Sequence, residues 1–280
     1  MSDLAQQYGK WALVTGASAG IGLEFARQLA AQRLNLVLVA RRHDLLDQHA
    51  RHLEAEFGVQ VRTIARDLTA DDAVESLYRE LNGQEMSMVV MNAGIETTGH
   101  FTKTSLDDHI KLQRLNVDVP MRMANLFGKA MVQRGRGALV FVSSLFAYQG
   151  VPLMANYSAS KAYLLSLGEA LNVEMKPFGV DVLVVSPGLT DTDMPAHMPV
   201  NFNKMPITRS SPRSVVQAAL ASLGKKATVV PGVVNKFYAW ENRLIPRSWP
   251  VKLFGALLGN AIKREARARY LHSAGSAQGR

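Results

Sequence analysis

Seven short apolar runs recur along the chain, separated by longer stretches with helical spacing. They cover residues 11–15, 35–40, 59–65, 87–92, 137–143, 180–186 and, more weakly, 228–232. Most lack the apolar–polar alternation of a half-solvated strand. Continuous runs of this length predict strands buried on both faces, and so a parallel sheet covered by helices. The helical stretches carry recognisable ends. Gly58 closes the stretch that begins at Arg41, as a C′ glycine. Residues 69–72 (from Thr69) and 104–108 (Thr104, Ser105) offer N-caps with acid in the first turn. Ser211 and Pro212 read as a cap followed by a first helical position. The strict alternation of strand and helix predicts one doubly wound α/β domain of Rossmann type over residues 1–280. Right-handed crossovers then bring every strand C-terminus to one edge.

Composition narrows the function classes. The 280 residues are 48% hydrophobic and 20% charged, enough for one large core. There is no cysteine, which excludes disulfides and thiolate metal sites and suits a reducing compartment. The seven histidines offer no ligand cluster; His49 and His52 share a polar helix face. The net charge of +9 is partly local, since residues 263–280 hold Lys263, Arg264, Arg267, Arg269 and Arg280 against Glu265 alone. No nucleic-acid motif accompanies it, so no nucleic-acid partner is expected. The polar N-terminus gives no signal-peptide pattern and no stretch is long enough to span a bilayer. The expected location is cytoplasmic, free or at a membrane surface.

The first candidate chemistry is "TGASAGIG" at residues 15–22, between the first strand and the first long helix. Gly16, Gly20 and Gly22 allow a tight turn and close backbone approach to a pyrophosphate, which the helix N-terminus at Ile21 then faces with free N–H groups. The spacing is G-x-x-x-G-x-G. The second strand ends in Arg41 and Arg42 rather than in a carboxylate. Guanidinium groups there bind a ribose 2′-phosphate, where an acid would repel it. The cofactor expected is therefore NADP(H). Asp67 and Leu68 end the third strand, and Asn92, Ala93 and Gly94 end the fourth, on the edge where a nucleotide would pass.

With Asn116, Ser144, the Tyr157-Ser-Ala-Ser-Lys161 stretch and Pro187-Gly188, these residues occur in an order and spacing that resembles the short-chain dehydrogenase/reductase family. The resemblance covers about residues 10–195 and is of the NADP-preferring kind. It implies a seven-stranded parallel sheet in the order 3-2-1-4-5-6-7 and a catalytic tetrad of Asn116, Ser144, Tyr157 and Lys161. It also implies cofactor contacts from the glycine loop with Ser18, from Lys161 and Tyr157, and from Pro187, Gly188, Thr190 and Thr192. Ser144 rather than Ser143 fits the family spacing to Tyr157. The chemistry agrees with the resemblance. A free phenol titrates near about 10 and is a poor acid at neutrality. A lysine one helical turn away shares its face and favours phenolate. Tyr157 could then protonate a carbonyl oxygen as NADPH reduces the carbon, or run the reverse on an alcohol, with Ser144 stabilising the oxygen.

The remaining segments bear on substrate and partners. Residues 194–209, with several methionines and Phe202, are expected to cover the substrate as an adaptable apolar wall. Residues 233–280 form a basic, irregular helical extension. Its Trp240, Trp249, Phe254, Leu257 and Leu258 fit two readings: packing on the fold or a partner subunit, or contact with a membrane surface. The family resemblance implies a dimer or tetramer. Reduction of an apolar carbonyl is the function expected; the alternative is a non-catalytic NADP(H) sensor on the same fold.

Overall fold

The computed structural model describes residues 4–194, 198, 200–205, 207–241, 246 and 248–262. The tail basic residues, and residues 195–197, 199 and 206 of the covering segment, lie outside these described residues. Seven parallel strands form one sheet: β1 (Trp11–Thr15), β2 (Asn35–Ala40), β3 (Val61–Ala65), β4 (Met86–Met91), β5 (Gly137–Val142), β6 (Val180–Val185) and β7 (Thr228–Val229). Their order is β3-β2-β1-β4-β5-β6-β7, as expected. All seven apolar runs become strands, although β3, β5, β6 and β7 are shorter than their runs and β4 begins and ends one residue earlier than its run. At β3 and β7 apolar residues continue beyond the strand, and at β5 and β6 the run ends on a serine that already belongs to the loop.

Burial on both faces explains the missing alternation. Leu36 and Leu38 of β2 pack into one core with Phe25, Leu29, Leu46 and Val215. Their neighbours Val37 and Val39 pack into a second core with Leu77, Phe127 and Leu164. The first core is covered by α2 (Gly20–Ala31), α3 (His43–Phe57) and α8 (Pro212–Ser222). The second lies under α4 (Ala73–Glu80), α6 (Val119–Arg134) and α7 (Ala155–Met175). The short α1 (Leu4–Tyr8) and α5 (Leu106–Gln113) complete this part of the chain, with α9 (Val233–Glu241) and α10 (Ser248–Ala261) after it.

The predicted helix ends are mostly observed. Gly58 ends α3 with φ 66°, Ser105 Oγ accepts from Asp108 N at the start of α5, and Ser211 Oγ accepts from Ser214 N at the start of α8. The cap at Thr69 is not formed. Helix α4 begins at Ala73, after Asp72 in a left-handed conformation, and Thr69 is held instead by Asp67. Asp67 accepts from both the Thr69 N–H, at 2.9 Å, and its hydroxyl, at 2.7 Å. That local turn competes with helix initiation and wins.

A third apolar cluster sits over the C-terminal edge of the sheet. It joins Met154 and Tyr157 to Met198, Phe202, Met205, Phe254 and Leu258. Helices α9 and α10 therefore pack on the fold through their inner faces, the first of the two readings of that segment. They are regular helices, not irregular structure, over the described residues.

Candidate active site

The strand order reverses around β1, so the edge between β1 and β4 is a switch point where a crevice opens outside the strand ends. The glycine loop leaves β1 there. Gly16 and Gly20 have φ of 64° and 57°, a region that a side chain disfavours. A Cβ on Gly22 would stand 2.3 Å from the Gly16 carbonyl oxygen, so this glycine serves loop–helix packing. Asn92 braces the loop from β4: its Nδ2 donates to the carbonyl oxygens of Thr15, at 3.0 Å, and Gly16, at 3.3 Å. Thr15 Oγ1 in turn accepts from the Asn92 and Ala93 N–H groups, each at 3.0 Å.

Arg41 and Arg42 follow β2 and reach the mouth of the same crevice. Arg42 donates from Nε and Nη2 to Ser18 Oγ, at 3.2 and 2.9 Å, which ties the second strand end to the glycine loop. His49 also bonds to the Ser18 carbonyl, at 3.2 Å, so it is not a solvated face residue.

At the other end of the crevice the tetrad residues come together from three elements. Asn116 lies in a single π-helical turn, Arg114–Asp118, between α5 and α6, in which the Val119 N–H donates to the Arg114 carbonyl five residues back. Pro120 accounts for this. It has no N–H to give to the Asn116 carbonyl, and its ring would crowd that carbonyl in a regular helix. The Asn116 side chain is buried and fixed three ways. Its Oδ1 accepts from the Ile95 N–H at 3.0 Å, and its Nδ2 donates to the Ile95 carbonyl at 2.8 Å and to Ser160 Oγ at 3.2 Å. Gly94 leaves room beside it, because a Cβ there would stand 3.2 Å from Asn116 Oδ1 and 3.4 Å from Lys161 Nζ.

Ser144 follows β5 and Tyr157 and Lys161 lie in the first turns of α7. Lys161 is clamped at both ends: its Nζ donates to the Val142 carbonyl at 2.9 Å, and its own carbonyl accepts from Ser143 Oγ at 2.7 Å. Ser143 thereby ties the end of β5 to α7. Ser144 Oγ accepts from the Phe146 N–H at 3.2 Å. Burial pushes the Tyr157 phenol up to about 12, a hydrogen bond with Ser144 works against that rise, and the Glu96 carboxylate adds to it. Burial lowers the Lys161 ammonium to about 8. Both shifts disfavour the charged forms and move the two groups apart from their nearly equal ordinary values, with the phenol firmly protonated at neutral pH.

The crevice encloses about 570 Å³, within the range of small-molecule sites. Gly16, Gly20, Ile21, Arg41, Arg42, Asn92, Ala93 and Gly94 line it, as do Ser144, Tyr157, Lys161, Pro187, Gly188, Thr190 and Thr192. Asn116, Ser18, Gly22, Asp67 and Leu68 do not; they stand behind the lining or, for Asp67, exposed on the sheet edge. Thr192 packs against Gly20, where a Cβ would stand 2.9 Å from its Cγ2, so the loop after β6 closes onto the glycine loop. Met194, Met198, Phe202 and Ile207 form the expected apolar wall.

Two lining residues carried no motif. Asn235 of α9 is fully buried against Gly188; its Nδ2 donates to the Pro231 carbonyl at 2.7 Å, and its Oδ1 has no partner among the described residues. Glu96, two residues beyond Gly94, puts a carboxylate into the apolar end, and burial raises its pKa. Neither could be read from spacing.

A dinucleotide fits this crevice on its own terms. The glycine cradle, the free N–H groups of the α2 N-terminus and the two arginines suit phosphates, while the enclosed end holds a buried lysine and phenol. Comparisons with known proteins agree. The family model of the short chain dehydrogenases matches residues 10–200. The 7beta-hydroxysteroid dehydrogenase of Clostridium sardiniense is 28% identical over 246 residues, 88% of this chain and 94% of its own. A very-long-chain 3-oxoacyl-CoA reductase of Mus musculus is 31% identical over 267 residues, 94% of this chain and 82% of its own. A structure solved in a study of 7beta-hydroxysteroid dehydrogenase stereoselectivity superposes with a TM-score of 0.84 at 27% identity, covering 90% of this chain and 99% of that one. A short-chain dehydrogenase from Sphingobium yanoikuyae in complex with NADPH gives 0.75 at 29% identity, covering 84% and 93%.

Proposed function

The chain belongs to the short-chain dehydrogenase family and is an oxidoreductase acting on hydroxyl and carbonyl groups; from that premise we propose that it is an NADP(H)-dependent reductase of apolar ketones with Tyr157 as its general acid. The observation that carries this is the convergence of Ser144, Tyr157 and Lys161 on one end of a crevice whose other end is a phosphate cradle flanked by Arg41 and Arg42. When bound, the nicotinamide cofactor supplies the hydride. Ser144 and Tyr157 hold the substrate oxygen between two hydroxyls, and Tyr157 gives it a proton as charge develops there. Lys161 lends positive charge to the phenol it leaves behind and is placed to hold ribose hydroxyls. Asn116 fixes the Ile95 backbone, next to Gly94 and Lys161, and Pro120 gives its carbonyl no N–H, which suits that carbonyl to hold a proton-carrying water. Arg41 and Arg42 support NADP(H) over NAD(H), and Asp67 and Leu68, just beyond β3, would flank the adenosine of a bound cofactor.

The apolar lining supports a bulky, water-poor substrate, and two relatives act on such compounds by name, a hydroxysteroid and a very-long-chain 3-oxoacyl-CoA. NADPH oxidation over a panel of steroidal, cyclic and long-chain ketones, with NADH as control, tests the reading. A complete tetrad argues against a cofactor sensor without turnover.

Two surfaces bear on partners. Helices α6 and α7 leave a mostly apolar groove lined by Met121, Ala124, Leu167, Leu171 and Met175, with Asn125 and Lys129 beside them. A helix apolar on both faces needs a second cover, and a second copy of this chain, presenting the same helices, fits it as a two-fold dimer. The outer faces of α9 and α10 carry Val233, Phe237, Trp240, Trp249 and Leu253, each more than half exposed. Residues 233–262 contain Lys236, Arg243, Arg247 and Lys252 against Glu241 alone, and the basic residues 263–280 follow. Aromatic and apolar residues beside unbalanced positive charge suit an anionic lipid surface, whereas a second copy would bring like charge. Among the described residues no helix is long and apolar enough to cross a membrane, so contact would be at the surface.

A further inference from the structure

We propose that Glu96 selects substrates that carry a hydroxyl group remote from the reacting carbonyl, by accepting its hydrogen bond inside the apolar end of the crevice. The inference rests on the reductase reading and names the substrate class more closely. Glu96 lines the cavity next to Ile95, in company with Phe146, Met154, Met198 and Phe202. A carboxylate in such surroundings is costly unless it is paired or hydrogen-bonded. The protein satisfies only part of it. Thr98 Oγ1 donates to Glu96 Oε2 at 2.6 Å, and among the described residues nothing donates to Oε1 and no cation pairs with the group. Lys161, the one lysine lining the cavity among the described residues, is held by the Val142 carbonyl.

A structural role does not account for this arrangement, because the bond to Thr98 spans two residues and joins no distant elements. Catalysis does not require it either, since a negative charge near Tyr157 opposes the phenolate. The same field does keep Tyr157 protonated, the state needed to reduce a ketone. What remains open on the cavity side is a strong acceptor, and the ligand group that complements an acceptor is a donor. A neutral hydroxyl fulfils that without adding charge. A carboxylate on the substrate at the same place would meet repulsion.

The test compares two bulky cyclic ketones that differ only in a remote hydroxyl, using the full chain with NADPH and the variants Glu96→Gln and Glu96→Leu. Gln keeps the shape and the acceptor oxygen for Thr98 but loses the charge; Leu loses the acceptor altogether. The expected result is a fall of about tenfold or more in kcat/KM for the hydroxylated ketone, carried by KM, with less than about threefold change for the plain one. Leu should raise kcat/KM for the plain ketone. Equal losses on both ketones would overturn the inference, and so would no loss on either. Thermal shifts of the NADPH complex by each ketone are read alongside. A shift by the hydroxylated ketone that survives both substitutions overturns the inference even where turnover is slow. Turnover of the plain ketone by the unsubstituted chain reports separately on the reductase reading.

Discussion

The Lys161 Nζ stands 5.7 Å from the centroid of the Tyr157 ring, yet its hydrogen bond goes to the Val142 carbonyl and not to the phenol. In the proposed mechanism the ammonium would therefore act on Tyr157 across space, or through what it holds in the crevice, and not by direct contact.

That relationship sets a pH dependence. Burial lowers Lys161 to about 8 from its ordinary 10.5, while Tyr157 rises to about 12. Below about 8 the lysine is charged and the phenol protonated; above it the charge is lost while the phenol stays intact. Reduction should be level below this point and fall above it, with the limb belonging to Lys161. A Lys161→Arg variant should move the limb upward by about 2 units or more. A limb that stays near 8 in that variant would assign it elsewhere. The stability effect has the opposite sign. A folded pKa below the unfolded one makes the charged lysine a burden below about 8, relieved as pH rises through the window to 10.5.

Cofactor choice should follow the end of β2. Replacing Arg41 and Arg42 together by Ala removes the charge that would face a 2′-phosphate and the bond to Ser18. NADPH should bind about 10- to 100-fold more weakly, with NADH changed by less than about threefold. Titration by cofactor fluorescence checks this, and equal loss for both cofactors would mean that the arginines only order the glycine loop.

The π turn offers a test remote from any ligand contact. Pro120→Ala restores an N–H opposite the Asn116 carbonyl and allows α6 to run back as a regular helix. Asn116 would then turn away from Ile95. The expected result is a loss of about 10- to 100-fold in kcat with the melting temperature unchanged or raised. An unchanged kcat would show that the turn has no part in the site.

Membrane contact is tested best by point changes. Truncation would remove Phe254 and Leu258, which belong to the cluster around Tyr157. Flotation with anionic vesicles should carry the intact chain, and a Phe237→Ser, Trp240→Ser, Trp249→Ser variant should stay behind. Neutral vesicles should bind weakly. A chain that never floats, or floats equally with the three changes, rejects this surface.

The sheet was legible because burial on both faces leaves continuous apolar runs, and the glycine loop because its backbone needs are unusual. Strand ends were less so, since Val59 is apolar but lies before β3 in a loop against α3. Thr69 misled because a cap and an Asp67-centred turn use the same residue types. Asn116 was named through the resemblance, but the π turn that aims it is visible only through Pro120 four residues on. Glu96 and Asn235 escaped because their meaning is a missing partner, which exists only in three dimensions. The extension was read as irregular because its two apolar faces blur helical periodicity, one face meeting Phe146 and the other solvent.

The most direct test of the account is a Tyr157→Phe comparison on one turned-over ketone, with NADPH binding measured on the same samples. The change removes the proton donor and keeps the buried ring. The account predicts a loss in kcat of about 100-fold or more, with the NADPH dissociation constant within about threefold of the parent. Retained turnover would contradict the assignment of Tyr157 as the acid and with it the mechanism drawn from this site.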